Sequence, residues 1–420
     1  MTPALPAGDL HLHSTASDGT NRPSEVIRLA SEQKLAAVAL TDHDTLGGIE
    51  EARHAVRQLA AAGKHSPVFI PGVELSVHFD GQEIHLLAYF QERNPEHILS
   101  FLQAQRRARD RRNREMLAKL DQLGYYIRSD EIGAGVDSKR SWGRLHIARA
   151  LVSKGYFKTV ADAFSELLSP GRRAYVDRQR ALLEDALINI KADGGIAVVA
   201  HPQKYRWCPP AESNIVPAIL LEKCRKLKAA GVDGIEAGHG DAKPEEVNQM
   251  LAAALTFQLQ YTAGSDDHGD LTPHRSMFHS NWNPFPEETA TVVCALIRDK
   301  DGRCLLGRRA PTERLAGFYE LPGGKVKPAE HNEQALVREI EEELGVQADV
   351  RGLHSVLWSA EGKTFLALAV YDTVLRPGTL RPVVHDDLQY MAAREAAAIP
   401  LLPADRAFFR MLAAAEQKNA

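Results

Sequence analysis

At 420 residues the chain exceeds what one ordinary hydrophobic core holds, so two domains, or one large barrel plus a smaller domain, are expected. The composition is that of a globular protein, with 44% hydrophobic and 25% charged residues, and a net charge of −4 excludes a global electrostatic pull towards nucleic acid or membrane. The opening MTPALPAGDL lacks the basic and apolar stretches of a secretory signal, no run approaches the roughly 18 apolar residues of a membrane span, and Cys208, Cys224, Cys294 and Cys304 are too scattered for a disulfide framework. A soluble, cytoplasmic protein is the expectation.

From the start to about residue 280, short apolar runs alternate with helical patterns. Strands are expected at Ala36–Thr41, Val68–Ile70, Ile84–Tyr89, Ile196–Ala200, Gly234–Glu236 and Tyr261–Gly264. Helices fall between them, as at Arg22–Lys34 with Pro23 in its first turn. Strands separated by helices imply a parallel α/β sheet or barrel, whose chemistry sits on the loops after the strands. Clusters of histidine with carboxylates occur at such places within the first 270 residues: DLHLHSTASDG (His11, His13, Asp18), TDHD (His43), PGVEL (Glu74), QEIH (His85), AHP (His201) and GSDDH (Asp266, His268). In a strand, His11 and His13 point to one side, the simplest way to hold one ion with two imidazoles. Any one of these groups alone would more often be a satisfied polar residue; nine together point to metal.

Residues 95–180 interrupt the alternation with helical spacing through Ile98, Leu102, Met116 and Leu120, then Ala148, Leu151, Phe164 and Leu168. They are expected to form a helical insertion. Its RRARDRRNRE segment carries six arginines between Arg106 and Arg114; such a run is usually a solvated helix face, with a phosphate or RNA contact surface as the alternative. Asn281-Trp-Asn-Pro-Phe-Pro-Glu-Glu is expected to be a linker, separating domains over 1–283 and 286–420. A strand (Thr291–Ile297), a turn at Lys300-Asp301-Gly302 and a second strand (Cys304–Arg308) follow.

The segment GGKVKPAEHNEQALVREIEEELGV comes next. Glu339, Glu342 and Glu343 stand at i, i+3 and i+4, so a helix stacks three like charges on one face, which makes little sense without a cation among them. Hard oxygen ligands at this density suit magnesium or manganese, which also bind phosphate oxygens. Gly323 and Gly324 permit a sharp turn before the helix, Gly345 can end it, and Arg338 would orient a glutamate or neutralise it. A merely solvated acidic helix would not need both glycines and Glu330 in register.

Two resemblances cover most of the chain. GGKVKPAEHNEQALVREIEEELGV resembles the Nudix box at every defining position, and this resemblance spans about residues 286–418. It implies an α/β/α sandwich that cleaves a nucleoside diphosphate linked to another group, with Arg338, Glu339, Glu342 and Glu343 catalytic, the three glutamates holding magnesium or manganese, and Gly324 near the substrate. LLPADR resembles the base-side segment of nucleoside-triphosphate-cleaving members, which makes Asp405 a candidate base contact; a helix-capping role is the alternative.

Residues 8–275 resemble the PHP (polymerase and histidinol phosphatase) family, whose motifs match HLHSTASDG, TDHD, the Glu74 and His85 region with His201, and GSDDH. That resemblance implies a distorted (β/α)₇ barrel and a trinuclear centre of manganese, iron or zinc. One ion would take His11, His13, Glu74 and Asp266; a second Glu74, His85 and His201; a third Asp18, His43 and His268. The insertion, with GRLHIARALVSKGY and GRRAYV, is similar to the subgroup acting on nucleotides, including 3′,5′-bisphosphate nucleotides and short RNA. It makes Arg144, His146 and Arg173 candidates for a phosphate clamp, and His239 in EAGHG a candidate for the pocket wall. The expectation is a bifunctional nucleotide hydrolase with nucleotides, and at most short RNA, as partners, and with no stable nucleic-acid or membrane partner. The rival is a histidinol-phosphatase-like enzyme with its Nudix domain acting as a nucleotide sensor.

Overall fold

The computed structural model describes residues 8–91, 95–132, 143–177, 181–210, 214–272, 277 and 284–419. Within the N-terminal part, β1 (Gly8–Leu12), β2 (Ala37–Leu40), β3 (Val68–Phe79), β4 (Gln82–Tyr89), β6 (Ile196–Val199), β7 (Gly234–His239) and β8 (Gln260–Gly264) follow one another around a single sheet, with the short β5 (Ala181–Leu182) paired to β3. Backbone bonds from Asp266 to His11 (2.9 Å) and from His13 to Asp267 (3.0 Å) bring the chain after β8 against β1, so the sheet nearly closes into a barrel. Helices α1 (Pro23–Glu32), α2 (Ile49–Ala61), α6 (Leu183–Ala192), α7 (Ala218–Ala230) and α8 (Pro244–Thr256) join its strands. The expected helix at Arg22–Lys34 appears as α1, with Pro23 at its first position and Lys34 in the left-handed region just past its end.

The expectation of a parallel sheet needs one correction. β3 runs nine residues past Ile70 and turns directly into β4, which is antiparallel to both β3 and β6. No helix separates these two strands, because β3 continues in the alternating pattern of a strand (Val73, Leu75 and Val77 buried). The reversal puts the start of β4, with His85, at the end of the barrel where the other strands finish.

The insertion consists of α3 (Glu96–Gln122), α4 (Arg144–Ser153), α5 (Val160–Ala163) and a π-helical turn at Phe164–Leu168. Ile98 and Leu102 root α3 in the barrel core, whereas Met116, Leu120, Ala148, Leu151 and Leu168 form a separate apolar cluster of their own.

The C-terminal part contains β9 (Glu288–Ile297), β10 (Cys304–Arg308), β11 (Tyr319–Glu320), β12 (Gly323–Lys325), α9 (Asn332–Leu344), β13 (Ala348–Glu361), β14 (Thr364–Leu375), β15 (Asp387–Met391), α10 (Ala393–Ala396) and α11 (Pro403–Asn419). A mixed sheet in the order β12-β9-β14-β13 carries helices on both faces, beside a small sheet β11-β10-β15. The period of two sorts the side chains: Val293, Ala295, Phe365 and Ala367 pack with Leu336 and Ile340 of α9, while Cys294, Leu296 and Val370 pack with Phe408 and Phe409 of α11. This is an α/β/α sandwich. Residues 281–283 of the expected linker lie outside the described residues; Phe285 packs its ring edge-on against Tyr261 of the barrel at 4.8 Å. Among the described residues no helix is long and apolar enough to cross a membrane.

Candidate active sites

At the end of the barrel, one carboxylate gathers five imidazoles. Glu74 Oε1 lies 2.7 Å from His85 and 3.1 Å from His201, and its Oε2 lies 3.0, 3.3 and 3.4 Å from His43, His13 and His11. Asp266 adds an oxygen 3.2 Å from His13 and 3.4 Å from His11. Asp18 stands 3.4 Å from His268 and 3.8 Å from His43. Three donor groups result: His11, His13, Glu74 and Asp266; His13, Asp18, His43 and His268; and His43, Glu74 and His85. The first is the set implied by the family resemblance. In the second His13 joins the three expected residues, and in the third His43 stands where His201 was expected, although His201 reaches the same Glu74 oxygen as His85.

Several of these atoms are buried yet off hydrogen-bond geometry: His11 Nε2, both ring nitrogens of His13, and Glu74 Oε2. Buried polar atoms that converge without bonding one another fit a shared cation. The electrostatics agree. Burial works against protonation of His13, but Asp266 and Glu74 lift it to about 10. His11 is likewise opposed by burial and raised well above its usual value by Glu236, Glu74 and Asp266. Burial alone would raise Glu74 and Asp266, but the surrounding imidazoles hold both carboxyls well below the usual range. His201, by contrast, is depressed to about 3 by burial, so it stays neutral and able to donate a lone pair.

Residues that the motifs did not single out hold this cluster in shape. Glu236, fully buried in β7, accepts from His11 Nδ1 at 2.9 Å and from the His201 backbone at 2.8 Å, which leaves His11 Nε2 facing the cluster. Asp42 accepts from the Ser14 amide, the Ser14 hydroxyl and the Ser17 hydroxyl at 2.6–2.8 Å and shapes the loop that carries His13 and Asp18. Lys204 bonds Asp266 at 2.6 Å, and His239 stands 3.4 Å from the same carboxylate. His201 (φ 35) and Asp266 (φ 57) both adopt left-handed backbone, a strain of about 1–3 kcal/mol each that concentrates at functional sites. A glutamate inside the apolar strand Gly-Ile-Glu-Ala-Gly was the one available signal for Glu236; Lys204 and Asp42 carried none beyond closeness to His201 and His43.

Beside the cluster a cleft of about 210 Å³ is lined by Asp18, His43, His85, Arg109, Arg112, Arg144, His146 and Phe164. The arginine run of α3 therefore divides. Arg109 and Arg112 turn inward, Arg109 pairing with Asp44, while Arg107, Arg111 and Arg114 are exposed. The guanidinium of Arg144 stacks over Phe164 and Tyr175, 5.9 and 5.7 Å from the ring centres. Arg149 of α4 reaches the Asp18 carbonyl at 3.4 Å, fastening the insertion to the site. Arg172 and Arg173 are exposed and do not line the cleft.

The C-terminal site is arranged differently. Arg338 lies among Glu330 (2.8 and 2.9 Å), Glu339 (2.5 Å) and Glu342 (3.4 Å). Glu343 turns away to accept the Gly323 amide at 3.0 Å, and burial raises its carboxyl to about 7. Gly324 lies so close to the Glu339 carboxyl that a side chain there would force that carboxyl to move, and Gly345 ends α9 in the left-handed region (φ 66). His385, buried and missed by the motif reading, sits with Nε2 3.3 Å from Glu320; burial works against its proton, while Glu320 and Glu343 favour it. A separate cleft of about 520 Å³ has Leu315, Leu366 and Leu368 as apolar lining, with Arg309, Arg314, Lys325 and Asp405 among its polar groups. Asp405 is buried, accepts the Leu321 amide at 3.2 Å, and is raised to about 7 by burial.

Comparison with known proteins matches these two halves separately. Residues 9–133 match the PHP domain and residues 288–412 the NUDIX domain. The chain is 33% identical to a 3′,5′-nucleoside bisphosphate phosphatase of Chromobacterium violaceum, over 71% of this chain and 97% of that protein. It is 35% identical to a 5′-3′ exoribonuclease of Haemophilus influenzae, over 62% of this chain and 89% of that protein. The C-terminal region is 38% identical to a CTP pyrophosphohydrolase of Escherichia coli, over 27% of this chain and 84% of that protein. The chain belongs to the PHP family of phosphoesterases and carries a C-terminal Nudix hydrolase domain.

Proposed function

We propose that the barrel hydrolyses a phosphate ester of a nucleotide that carries a second phosphate, either a 3′,5′-bisphosphate nucleotide or a short oligoribonucleotide. The observation that carries this reading is the cleft in which Arg109, Arg112, Arg144 and His146 face His43 and His85. The scissile phosphate belongs at the Glu74 cluster, where His11, His13, Asp18, His43, His85, His201, Asp266 and His268 would hold the ions. Bound ions would supply a water of lowered pKa and positive charge for the phosphoryl oxygens, so no protein nucleophile is required. The insertion supplies what the cluster lacks: planar guanidinium groups that bind a second phosphate. Glu236 keeps His11 in one tautomer.

For the C-terminal domain the reading is cleavage of a nucleoside triphosphate or diphosphate derivative to the monophosphate. Glu339, Glu342 and Glu343 would hold magnesium or manganese, Arg338 orients Glu339, and the 520 Å³ cleft with Asp405 offers an apolar floor and polar contacts for a base. The similarity to a named CTP pyrophosphohydrolase supports a nucleotide substrate.

A phosphate-release screen on the full chain, with several divalent metals, tests both halves. Adenosine and cytidine 3′,5′-bisphosphates and short 5′-phosphorylated RNAs are expected to lose phosphate or nucleotide at the barrel, and nucleoside triphosphates to release pyrophosphate at the Nudix domain. Preference for histidinol phosphate over every nucleotide would overturn the barrel reading and leave the nucleotide-sensor alternative.

A further inference from the structure

Over its second half α8 is buried around almost its whole circumference, with Met250, Leu251 and the run Ala252–Ala254 all inaccessible. A helix buried on every side needs partners on every side. One is the barrel, through β7. The other is the C-terminal sheet: Met250 to Ala254 share one continuous apolar core with Val293, Ala295, Val356 and Phe365. The three alanines let the helix lie close to both. The barrel also lends the sheet an extra edge, because Val216 donates to the Val356 carbonyl at 2.8 Å and Trp358 donates to the Asn214 carbonyl at 2.9 Å.

Where α8 ends, the contact becomes polar and specific. The carbonyl of Thr256, its last residue, accepts from Asn332 Nδ2 at 2.9 Å, and Gln258 Nε2 donates to the Glu330 carbonyl at 2.9 Å. Asn332 is the first residue of α9, is buried, and also donates to the Tyr371 hydroxyl at 3.1 Å. A reversed amide would set oxygen against the Thr256 carbonyl, so the helix start is locked in one orientation. From there the contacts run on to the chemistry: Glu330 grips Arg338 through two bonds, and Arg338 holds Glu339.

We propose that the barrel positions the metal-binding helix of the Nudix site, with Asn332 as the principal positioning residue and Gln258 as a secondary one. The C-terminal domain is then no independent passenger: its α9 is seated on a helix of the other enzyme. This rests on the reading of Glu339, Glu342 and Glu343 as the Nudix ligands.

The test uses the full chain. Asn332→Asp keeps the side chain's size, removes the donor and places a negative charge where a helix N-terminus favours one, so the helix itself is not weakened. Asn332→Ala removes the donor without adding charge. Both are expected to lower kcat for nucleoside triphosphate hydrolysis about tenfold, the order implied by loss of the buried bonds to Thr256 and Tyr371. Both should raise the metal concentration for half-maximal activation, leave the nucleotide KM and the barrel phosphatase unchanged, and speed amide exchange in the first turn of α9 and the last turn of α8. Gln258→Ala should act in the same direction more weakly, and Asn332→Ser, which keeps a donor, should recover part of the loss. Unchanged kcat and unchanged exchange in both Asn332 variants would overturn the proposal, as would an equal fall in both activities. If the wild-type chain cleaves no nucleoside triphosphate or diphosphate, the functional reading fails instead, and the exchange at α8 and α9 still decides whether Asn332 seats the helix.

Discussion

The two candidate metal sites of this chain solve one electrostatic problem in opposite ways. In the barrel, carboxylates and imidazoles are interleaved at 2.7–3.4 Å around Glu74, so the donors balance one another's charge and the cluster stays assembled by the fold. In the Nudix helix the donors are all carboxylates, and among the described residues they form no close ligand set. Arg338 supplies the positive charge there, drawing Glu339, Glu342 and Glu330 to itself, while Glu343 turns to a backbone amide. The barrel site is therefore organised by packing, and the carboxylates of the Nudix helix by the Arg338 guanidinium. Mixed nitrogen and oxygen ligands favour a tightly held transition metal, and oxygens alone favour an exchangeable magnesium or manganese.

The sharpest way to break this comparison is reciprocal mutation. Glu74→Gln should reduce barrel phosphatase activity on the order of 10³-fold or more, since several kcal/mol of metal-dependent stabilisation disappear, and leave pyrophosphate release intact. Glu342→Gln or Glu343→Gln should do the reverse. Rates on a bisphosphate nucleotide and on a nucleoside triphosphate, measured for folded variants, check this; equal loss of both activities would mean one shared centre.

Metal content sharpens it further. Elemental analysis after extensive dialysis should find about two to three transition-metal ions per chain, retained by the barrel. Dialysis with a mild chelator followed by magnesium should restore pyrophosphate release alone, and manganese should be needed for the phosphatase. Absence of bound metal even after manganese loading would remove the barrel assignment.

A smaller effect separates the clamp from the centre. Arg144→Ala should raise KM for a 3′,5′-bisphosphate nucleotide about ten- to hundredfold, the worth of one charge-assisted phosphate contact of about 1.5–3 kcal/mol. Hydrolysis of p-nitrophenyl phosphate should barely change, and Arg173→Ala, outside the cleft, should affect neither. Equal damage to both substrates by Arg144→Ala would place that arginine at the scissile phosphate or in folding.

The smallest effect concerns Asp405. Burial raises its carboxyl to about 7, against about 3.9 in an unfolded chain. The protonated form is the one the fold favours, so its contribution is complete below about pH 4, is eroded as pH rises, and is gone above pH 7. Asp405→Asn, fixed in a neutral form, should melt at or below the wild-type temperature at pH 4 and about 2–4 °C above it at pH 8. A melting difference independent of pH would show that Asp405 is ionised in the folded protein.

How much of this was legible in advance follows from the range of each interaction. His11, His13, Asp18, His43, Glu74, His85, His201, Asp266 and His268 could be picked out from the chain because each sits in a short motif of unusual residue types, and the glutamates of α9 because helical spacing alone stacks them. The insertion was likewise readable from local periodicity, whereas the sandwich was expected only because the Nudix resemblance implies it. What periodicity could not express was long-range pairing. The antiparallel pairing of β4 with β6, the inward turn of Arg109 and Arg112 on a helix that also exposes Arg107, Arg111 and Arg114, the Glu236 carboxylate behind His11, and the seating of Asn332 on Thr256 all depend on partners 65 to 225 residues away or on which helix face meets the barrel. By itself the sequence determined which residues can bind metal and which segments are helix or strand, because those are properties of side-chain chemistry and of spacing along one element. Only the tertiary structure decided which candidate donors lie together, which arginines line the cleft, and that one domain's helix is held by the other, because those depend on packing between elements that are close in space and far apart in the chain.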